Sequence, residues 1–158
     1  MEETLVLKSK KIIGWHEWLS LPDLNIPYIK AKIDTGATTS SIGVSEIRHF
    51  THKGAPWVKF NMMPFSKIKH SAIAEIVDER IVSDSGGHRQ LRYVIKTLLK
   101  ISEDNSWEIE LTLANRTTMR YQMLLGREAM AGKIMVDPGE EYLLGKHSIK
   151  DIRKLYNL

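Results

Sequence analysis

Glycine and proline interrupt this 158-residue sequence so often that only short elements fit between them. The intervals are rich in Ile, Val, Leu, Tyr and Thr, which favour β-strands. We therefore predict a mainly β fold with one or two short helices. The interrupting residues are Pro22, Pro27, Gly36, Gly54, Pro56, Pro64, Gly86, Gly87, Gly126, Gly132, Pro138 and Gly145.

Composition narrows the class of protein. Hydrophobic residues make up 42% and charged residues 27%, as in a soluble globular domain. The absence of cysteine excludes disulfides and thiolate chemistry. The net charge of +4 weakly favours anionic partners. With no signal-peptide pattern and no apolar run of membrane-spanning length, we expect a cytoplasmic protein without a membrane partner.

Alternating residues predict the strands. The clearest is Trp107 to Leu113, and Leu91 to Ile101 precedes it across a turn at residues 103–106. A further strand, Ala72 to Val82, is expected to break at residues 78–80. Residues 84–87 have turn chemistry and would join it to the strand from Leu91 as a long hairpin.

Two short helices are predicted near the C-terminus. One covers Arg127 to Ala131 and ends at Gly132. The other covers Ser148 to Tyr156, with Ser148 as the N-cap. Ile149, Ile152 and Tyr156 would form its apolar stripe.

A third strand, Tyr28 to Ile33, leads directly into Asp34-Thr35-Gly36. Ile29, Ala31 and Ile33 alternate there with Lys30 and Lys32. Such a strand holds the carboxylate in a fixed place, and Gly36 lets the backbone pass close enough to donate its N–H. The triplet alone is weak evidence, because it occurs by chance and a turn after a strand is its more common explanation.

A second motif, Met123-Leu124-Leu125-Gly126-Arg127-Glu128-Ala129-Met130, follows about 90 residues later. Together the two motifs resemble the retropepsin-like aspartic peptidases. With Val136-Asp137-Pro138 they are similar to a bacterial group commonly labelled as an ATP-dependent zinc protease. The resemblance covers residues 12–145 and implies a closed retropepsin-like (acid protease) barrel. Residues 1–11 would be an extension and residues 146–158 a helical tail.

The resemblance implies a catalytic role for Asp34, with Thr35, Gly36 and Ala37 supporting its loop. Such a peptidase needs two carboxylates that share a proton. Because the chain has a single Asp-Thr-Gly, a homodimer would supply the second copy of Asp34. We reject Asp84-Ser85-Gly86 as the second acid, because it falls where the family has its flap hairpin.

The flap hairpin would cover residues 83–89, and an ordinary surface turn is the alternative. The candidates for substrate contact are Ser85, Gly86, Gly87, Arg89 and Arg92.

Arg127 has two interpretations. Relatives pair this arginine with an acid, but Thr38 stands at the expected acid position here. Arg127 would therefore form an ion pair elsewhere or bind an anionic substrate. Arginines that could extend such a groove are Arg80, Arg89, Arg92, Arg116 and Arg120.

No cofactor and no metal are expected, despite the label of the bacterial group. His16-Glu17 lacks the second histidine of a zinc-protease motif, and Gly86-Gly87 lacks the lysine of a phosphate loop. His49 and His52 could share a helical face, but they have no evident carboxylate partner and are expected at the surface.

The predicted function is therefore an aspartic endopeptidase acting as a homodimer on peptide substrates. The group's association with glutamate ligases suggests acidic or oligo-glutamate substrates. The main alternative is a non-catalytic dimeric module that binds an anionic partner. A metal-dependent hydrolase is a third reading. We expect no nucleic-acid partner, because the sequence lacks a stripe of basic residues interleaved with aromatic ones.

Overall fold

The computed structural model describes residues 10–65, 67–83, 86–115 and 120–158. They form a mainly β protein with two short α-helices, as predicted, and they also contain a 3₁₀ turn at Pro22–Leu24. The helices are α1 (Arg127–Met130) and α2 (Ile149–Leu155). The strands are β1 (Lys11–Ile13), β2 (His16–Leu21), β3 (Ile26–Ile33), β4 (Ser40–His52), β5 (Ala55–Met62), β6 (His70–Glu75), β7 (Asp78–Ser83), β8 (Arg89–Ser102), β9 (Asn105–Asn115), β10 (Met123–Leu125) and β11 (Ile134–Val136).

Six strands form a partly closed ring in the order β10-β3-β2-β8-β9-β4. The ring returns on itself because β10 pairs with both β3 and β4. Strands β2 and β8 are antiparallel, with Ser20 opposite Lys100. Strands β5 and β6 extend from β4, and β7 pairs with β8. Strands β1 and β11 form a separate parallel pair.

The ring encloses one main apolar core, and strands such as β3 turn alternate apolar side chains into it. Ile29, Ala31 and Ile33 of β3 are buried, as are Leu111 and Leu113 of β9. Burying each large aliphatic side chain contributes about 1.5–3 kcal/mol, which makes this core the principal source of stability.

The predicted break between β6 and β7 is displaced. The interruption falls at residues 76–77, and the charged residues 78–80 belong to β7. The N–H of Ile76 still bonds to Pro56 O at 2.9 Å, whereas the N–H of Val77 bonds to Val94 O at 2.8 Å. The break thus marks the point where the chain leaves β5 for β8, and pairing with β8 outweighs the low strand propensity of the charged residues.

Helix α2 begins as predicted, because Ser148 Oγ accepts a hydrogen bond from Asp151 N at 3.1 Å. Ile152 is buried against Trp18 and Phe65. The predicted apolar stripe is narrower than expected, since Ile149 is 47% exposed. Within the described residues, no helix has the length and apolarity that a membrane span requires.

Candidate active site

The two sequence motifs meet at the β3–β10 pair. These strands run parallel, and Lys32 is opposite Leu124 while Ile33 is opposite Leu125. The ladder continues one residue beyond β3, because Asp34 N donates to Leu125 O at 2.9 Å. Residues far apart in sequence therefore fix the backbone of Asp34.

The loop after Asp34 is connected to the start of α1. The N–H groups of Arg127 and Glu128 donate to the carbonyl oxygens of Ala37 and Thr38, at 2.7 and 3.1 Å. These N–H groups have no partner inside the helix, so the loop satisfies them. This contact anchors the loop to the start of α1.

Gly126 permits this close approach. A Cβ atom added there would lie 2.4 Å from Thr39 O, well inside van der Waals contact. Gly126 N also donates to Ser40 Oγ at 2.9 Å. The glycine of the second motif is thus required by the backbone that follows the first motif.

The loop also orients the Asp34 carboxylate. Its Oδ1 accepts hydrogen bonds from Gly36 N at 3.0 Å and from Ala37 N at 3.2 Å. Within the described part of the chain, Oδ2 has no hydrogen-bond partner. One oxygen is therefore held by the backbone, and the other is free for a water molecule or a second acid.

Arg127 binds the loop itself. Its guanidinium donates to Thr35 O at 3.1 Å and to the Thr38 hydroxyl at 3.2 Å. Among the residues that the structure describes, it has no ion pair, so the ion pair considered from the sequence is absent there. A carbonyl and a hydroxyl oxygen accept from Arg127 where the resemblance had implied an acid.

The candidate flap residues lie on another hairpin. Strands β7 and β8 pair up to Ser83 and Arg89, and Gly87 between them has φ of +84°. That conformation favours glycine and suits a tight connection. Gly86 is in the same turn, whereas Ser85 lies outside the described residues. Arg92 is farther along β8 and its Nε donates to Gln90 Oε1 at 3.0 Å.

Arg80 is unsuited to the predicted anion groove. It forms ion pairs with Asp78 at 2.9 Å and with Glu110 at 3.0 Å. The hydrogen bond from Arg80 lowers the pKa of Asp78, and the bonds to Asp78 and Glu110 raise the pKa of Arg80. Its charge is already compensated. Arg116, another candidate for that groove, lies outside the described residues.

A buried histidine cluster lies on the strand beside β3 and could not be recognised from sequence. His16 is 6% exposed, with Nδ1 3.0 Å from the Tyr121 hydroxyl and Nε2 2.7 Å from Glu141 Oε2. Trp15 and Tyr142 stack on its ring. These partners lie more than 100 residues away along the chain, apart from Trp15, so no local pattern signals them.

No metal cluster is found in the described ranges, where no three His, Cys, Asp or Glu side chains gather suitably. His49 and His52 are both exposed, as expected, but they lie in β4 rather than on a helix. An odd spacing along a strand directs them to opposite faces, so the shared face considered from sequence is wrong.

A partly closed ring with an Asp-Thr-Gly loop at the end of one strand, braced by a Gly-Arg helix start, defines a retropepsin-like protein. The family model for RimB-like proteins, described as "Retropepsin-like aspartic endopeptidase RimB", matches residues 12–147. The chain belongs to this family, and the predicted fold class is confirmed.

Curated relatives are longer proteins. The chain is 44% identical over 153 residues to a "Probable alpha-L-glutamate ligase" of Shewanella pealeana. The matched region covers 95% of this chain and 33% of that protein. A protein of the same name from Desulfotalea psychrophila is 42% identical over 151 residues, covering 94% and 32%. The chain thus spans about a third of the length of these relatives.

A solved structure supports the fold. The crystal structure of a Legionella pneumophila protein of unknown function superposes with a TM-score of 0.72 and 29% sequence identity. The match covers 86% of this chain and 99% of the other.

Proposed function

We propose that this chain is an aspartic peptidase that acts as a homodimer, with one Asp34 from each copy. The observation that carries the proposal is the carboxylate geometry. Backbone N–H groups of Gly36 and Ala37 hold Oδ1, whereas Oδ2 accepts no hydrogen bond from the residues that the structure describes. Membership in a family described as aspartic endopeptidases agrees with this use of Asp34.

The chemistry follows from placing two such acids together. Carboxylates about 3 Å apart cannot both ionise, so the pair holds one proton. The ionised carboxylate takes a proton from a bound water, whose oxygen attacks the peptide carbonyl carbon. The protonated carboxyl donates to the carbonyl oxygen. The C–N bond then breaks, and the amine leaves with a proton from the dyad.

The second acid is proposed to come from a second copy of the chain. The sequence contains one Asp-Thr-Gly. In a two-fold symmetric dimer each surface residue near the axis faces its own copy. Thr35, Gly36, Thr38 and Arg127 are exposed beside Asp34, so the loop is accessible to such a partner.

Acidic peptides are the proposed substrates. Relatives that contain a similar segment are named as probable alpha-L-glutamate ligases, so their own named activity concerns glutamate. The net charge of +4 also favours an anionic substrate. Hydrolysis within a glutamate-rich chain would act on the same class of bond that such a ligase would make.

A non-catalytic binding module is the second candidate. It is favoured by the finding that similar segments make up a third of chains named for ligation rather than hydrolysis. In that case the same surface would hold an anionic partner, and Asp34 would serve only to shape the loop.

Substitution of Asp34 distinguishes the two candidates. Asp34→Asn should abolish cleavage of a glutamate-rich peptide, followed by mass spectrometry, while sedimentation shows an unchanged dimer. Asp104→Asn, at an exposed turn, is the matched control and should cleave normally. Equal cleavage by Asp34→Asn rules out the peptidase mechanism. Binding without cleavage by either form supports the module, and loss of cleavage on adding a chelator supports a metal-dependent hydrolase.

A further inference from the structure

We propose that Lys30 and Lys32 form a cationic subsite, here called the lysine row, that binds acidic side chains of the substrate next to Asp34. This inference rests on the proposed function and specifies which residues select the substrate. It differs from the arginine groove expected from sequence, in which Arg80 is already neutralised.

The alternation of β3 puts the lysine row on the same face as Asp34. Ile29, Ala31 and Ile33 are buried in the core. Lys30, Lys32 and Asp34 therefore lie on the opposite face. The extended backbone continues to Asp34, because the two successive N–H groups bond to strands on opposite sides. Ile33 N donates to Trp15 O at 2.8 Å, and Asp34 N donates to Leu125 O at 2.9 Å.

The spacing of the lysine row fits an extended peptide. Residues two apart on a strand are separated by about 6.6–6.8 Å. Alternate side chains of an extended substrate have the same repeat. A peptide aligned with β3 and positioned for cleavage at Asp34 would thus present acidic side chains in step with Lys32 and Lys30.

The two lysines are also available electrostatically. In the ranges that the structure describes, neither is paired with a carboxylate. Lys30 Nζ lies 5.5 Å from the ring centre of Tyr121 and 5.7 Å from that of Tyr142. Aromatic faces attract an ammonium group without neutralising its charge. Lys32 is exposed.

Neighbouring residues favour a side chain with an apolar stem and a terminal carboxylate. The cross-strand neighbours of Lys32 are Leu124 in β10 and His16 in β2. Leu124 is half-buried and offers an apolar surface. The Glu141 carboxylate is engaged by His16 Nε2 at 2.7 Å. Arg120 adds a third cation to this region, with its guanidinium carbon 5.9 Å from the Tyr121 ring centre.

The test uses the Asp34→Asn variant so that binding is measured without cleavage. Fluorescein-labelled hexaglutamate and hexaglutamine are titrated in anisotropy measurements. Adding Lys32→Met should weaken hexaglutamate binding about tenfold, as expected for losing one charge-assisted contact, and should leave hexaglutamine unchanged. Lys59→Met is the matched control, since Lys59 is an exposed strand lysine between buried Val58 and Phe60 in β5.

Charge reversal gives a readout that a purely structural lysine would not produce. Lys32→Glu should weaken hexaglutamate binding more than Lys32→Met does, because it adds repulsion to the lost contact, and Lys32→Arg should restore hexaglutamate binding. If Lys32→Met and Lys59→Met weaken hexaglutamate binding equally, or if hexaglutamate does not bind, the lysine row is not a subsite.

The outcomes separate this inference from the proposed function. Lys32-dependent binding by a chain with no cleavage supports the subsite and overturns the peptidase. The opposite result is cleavage that requires Asp34 and prefers glutamate over glutamine to the same degree with and without Lys32→Met. That result supports the peptidase and overturns the subsite.

Discussion

Arg127 donates a hydrogen bond at 3.1 Å to the carbonyl oxygen of Thr35, the residue that directly follows Asp34. This contact joins the second sequence motif to the first by a side chain, in addition to the backbone bonds between them. It explains how the arginine is used although the acid expected at position 38 is a threonine.

Replacing Arg127 should loosen the loop that carries Asp34. Arg127→Ala removes the bonds to Thr35 O and the Thr38 hydroxyl, and we expect a loss of about 1 kcal/mol in unfolding free energy at this exposed site. If the loop positions the catalytic acid, kcat should fall more than KM changes. Denaturant unfolding and peptide kinetics measure both, with Arg153→Ala in α2 as the control. Unchanged values would show that the contact is dispensable.

Gly126 should tolerate no side chain. In Gly126→Ala the added Cβ meets Thr39 O at 2.4 Å, so the loop or α1 must move. We expect a destabilisation of about 2–4 kcal/mol, in the range of severe steric mutations. Gly139→Ala is the control, because the nearest atom to its added Cβ lies at an ordinary 3.5 Å. Equal thermal unfolding midpoints for the two variants would contradict the prediction.

The buried acid Glu17 should be essential for stability. It is 0% exposed and accepts hydrogen bonds from Gly14 N, Leu143 N and Leu144 N at 2.7, 2.9 and 3.0 Å. In Glu17→Gln an NH₂ group replaces one of the two carboxylate oxygens. An NH₂ group cannot accept a hydrogen bond, so at least one of these buried N–H donors loses its partner. We expect a loss of about 2–3 kcal/mol in urea unfolding.

The control for this prediction is Glu75→Gln, at an exposed position of β6. It should change stability by less than about 0.5 kcal/mol. A Glu17→Gln variant as stable as this control would mean that the carboxylate does not hold residues 143–144 in place.

Tyr156 should make stability fall at alkaline pH. Burial raises its pKa above the usual value, and its hydroxyl donates to Tyr28 O at 2.9 Å. The pKa of Tyr156 is therefore higher in the folded state than in the unfolded state. The protonated hydroxyl contributes fully to the unfolding free energy below about pH 10, and this contribution falls as pH rises further, by up to about 1.4 kcal/mol per pH unit.

Tyr156→Phe tests this pH dependence. At pH 7 it should cost about 1 kcal/mol through the lost hydrogen bond. Above pH 10 its stability should fall less steeply than that of the unmodified chain in urea unfolding. Parallel curves for the two proteins would be inconsistent with a titrating Tyr156. Tyr93→Phe controls for the loss of a tyrosine hydroxyl at pH 7.

Much of the fold could be predicted from sequence because strands β3, β8 and β9 have clear alternation, and Gly and Pro punctuate the chain. The β8–β9 turn and the N-cap Ser148 are likewise local features, so they were predicted correctly. The break between β6 and β7 was predicted two residues too late, because a change of partner strand at residues 76–77 sets its position. The exposure of Ile149 was missed because the position of α2 on the core decides it.

The candidate site divides in the same way. The two motifs and the alternation of Lys30 and Lys32 with buried residues are visible in the sequence. The partners of Arg127, the neutralisation of Arg80 and the cluster around His16 are not, since each depends on residues far along the chain. Pairwise chemistry between distant residues is created only when strands are placed side by side.

The sequence by itself determined which segments are strands and which residues carry ionisable chemistry, because backbone propensity and side-chain type are local properties. Only the tertiary structure decided that Asp34 is held by its own loop and braced by Arg127, and which cations on its face have no carboxylate partner among the described residues. Those outcomes depend on β3, β10 and α1 meeting in space, and packing and hydrogen-bond satisfaction over the whole ring govern that arrangement.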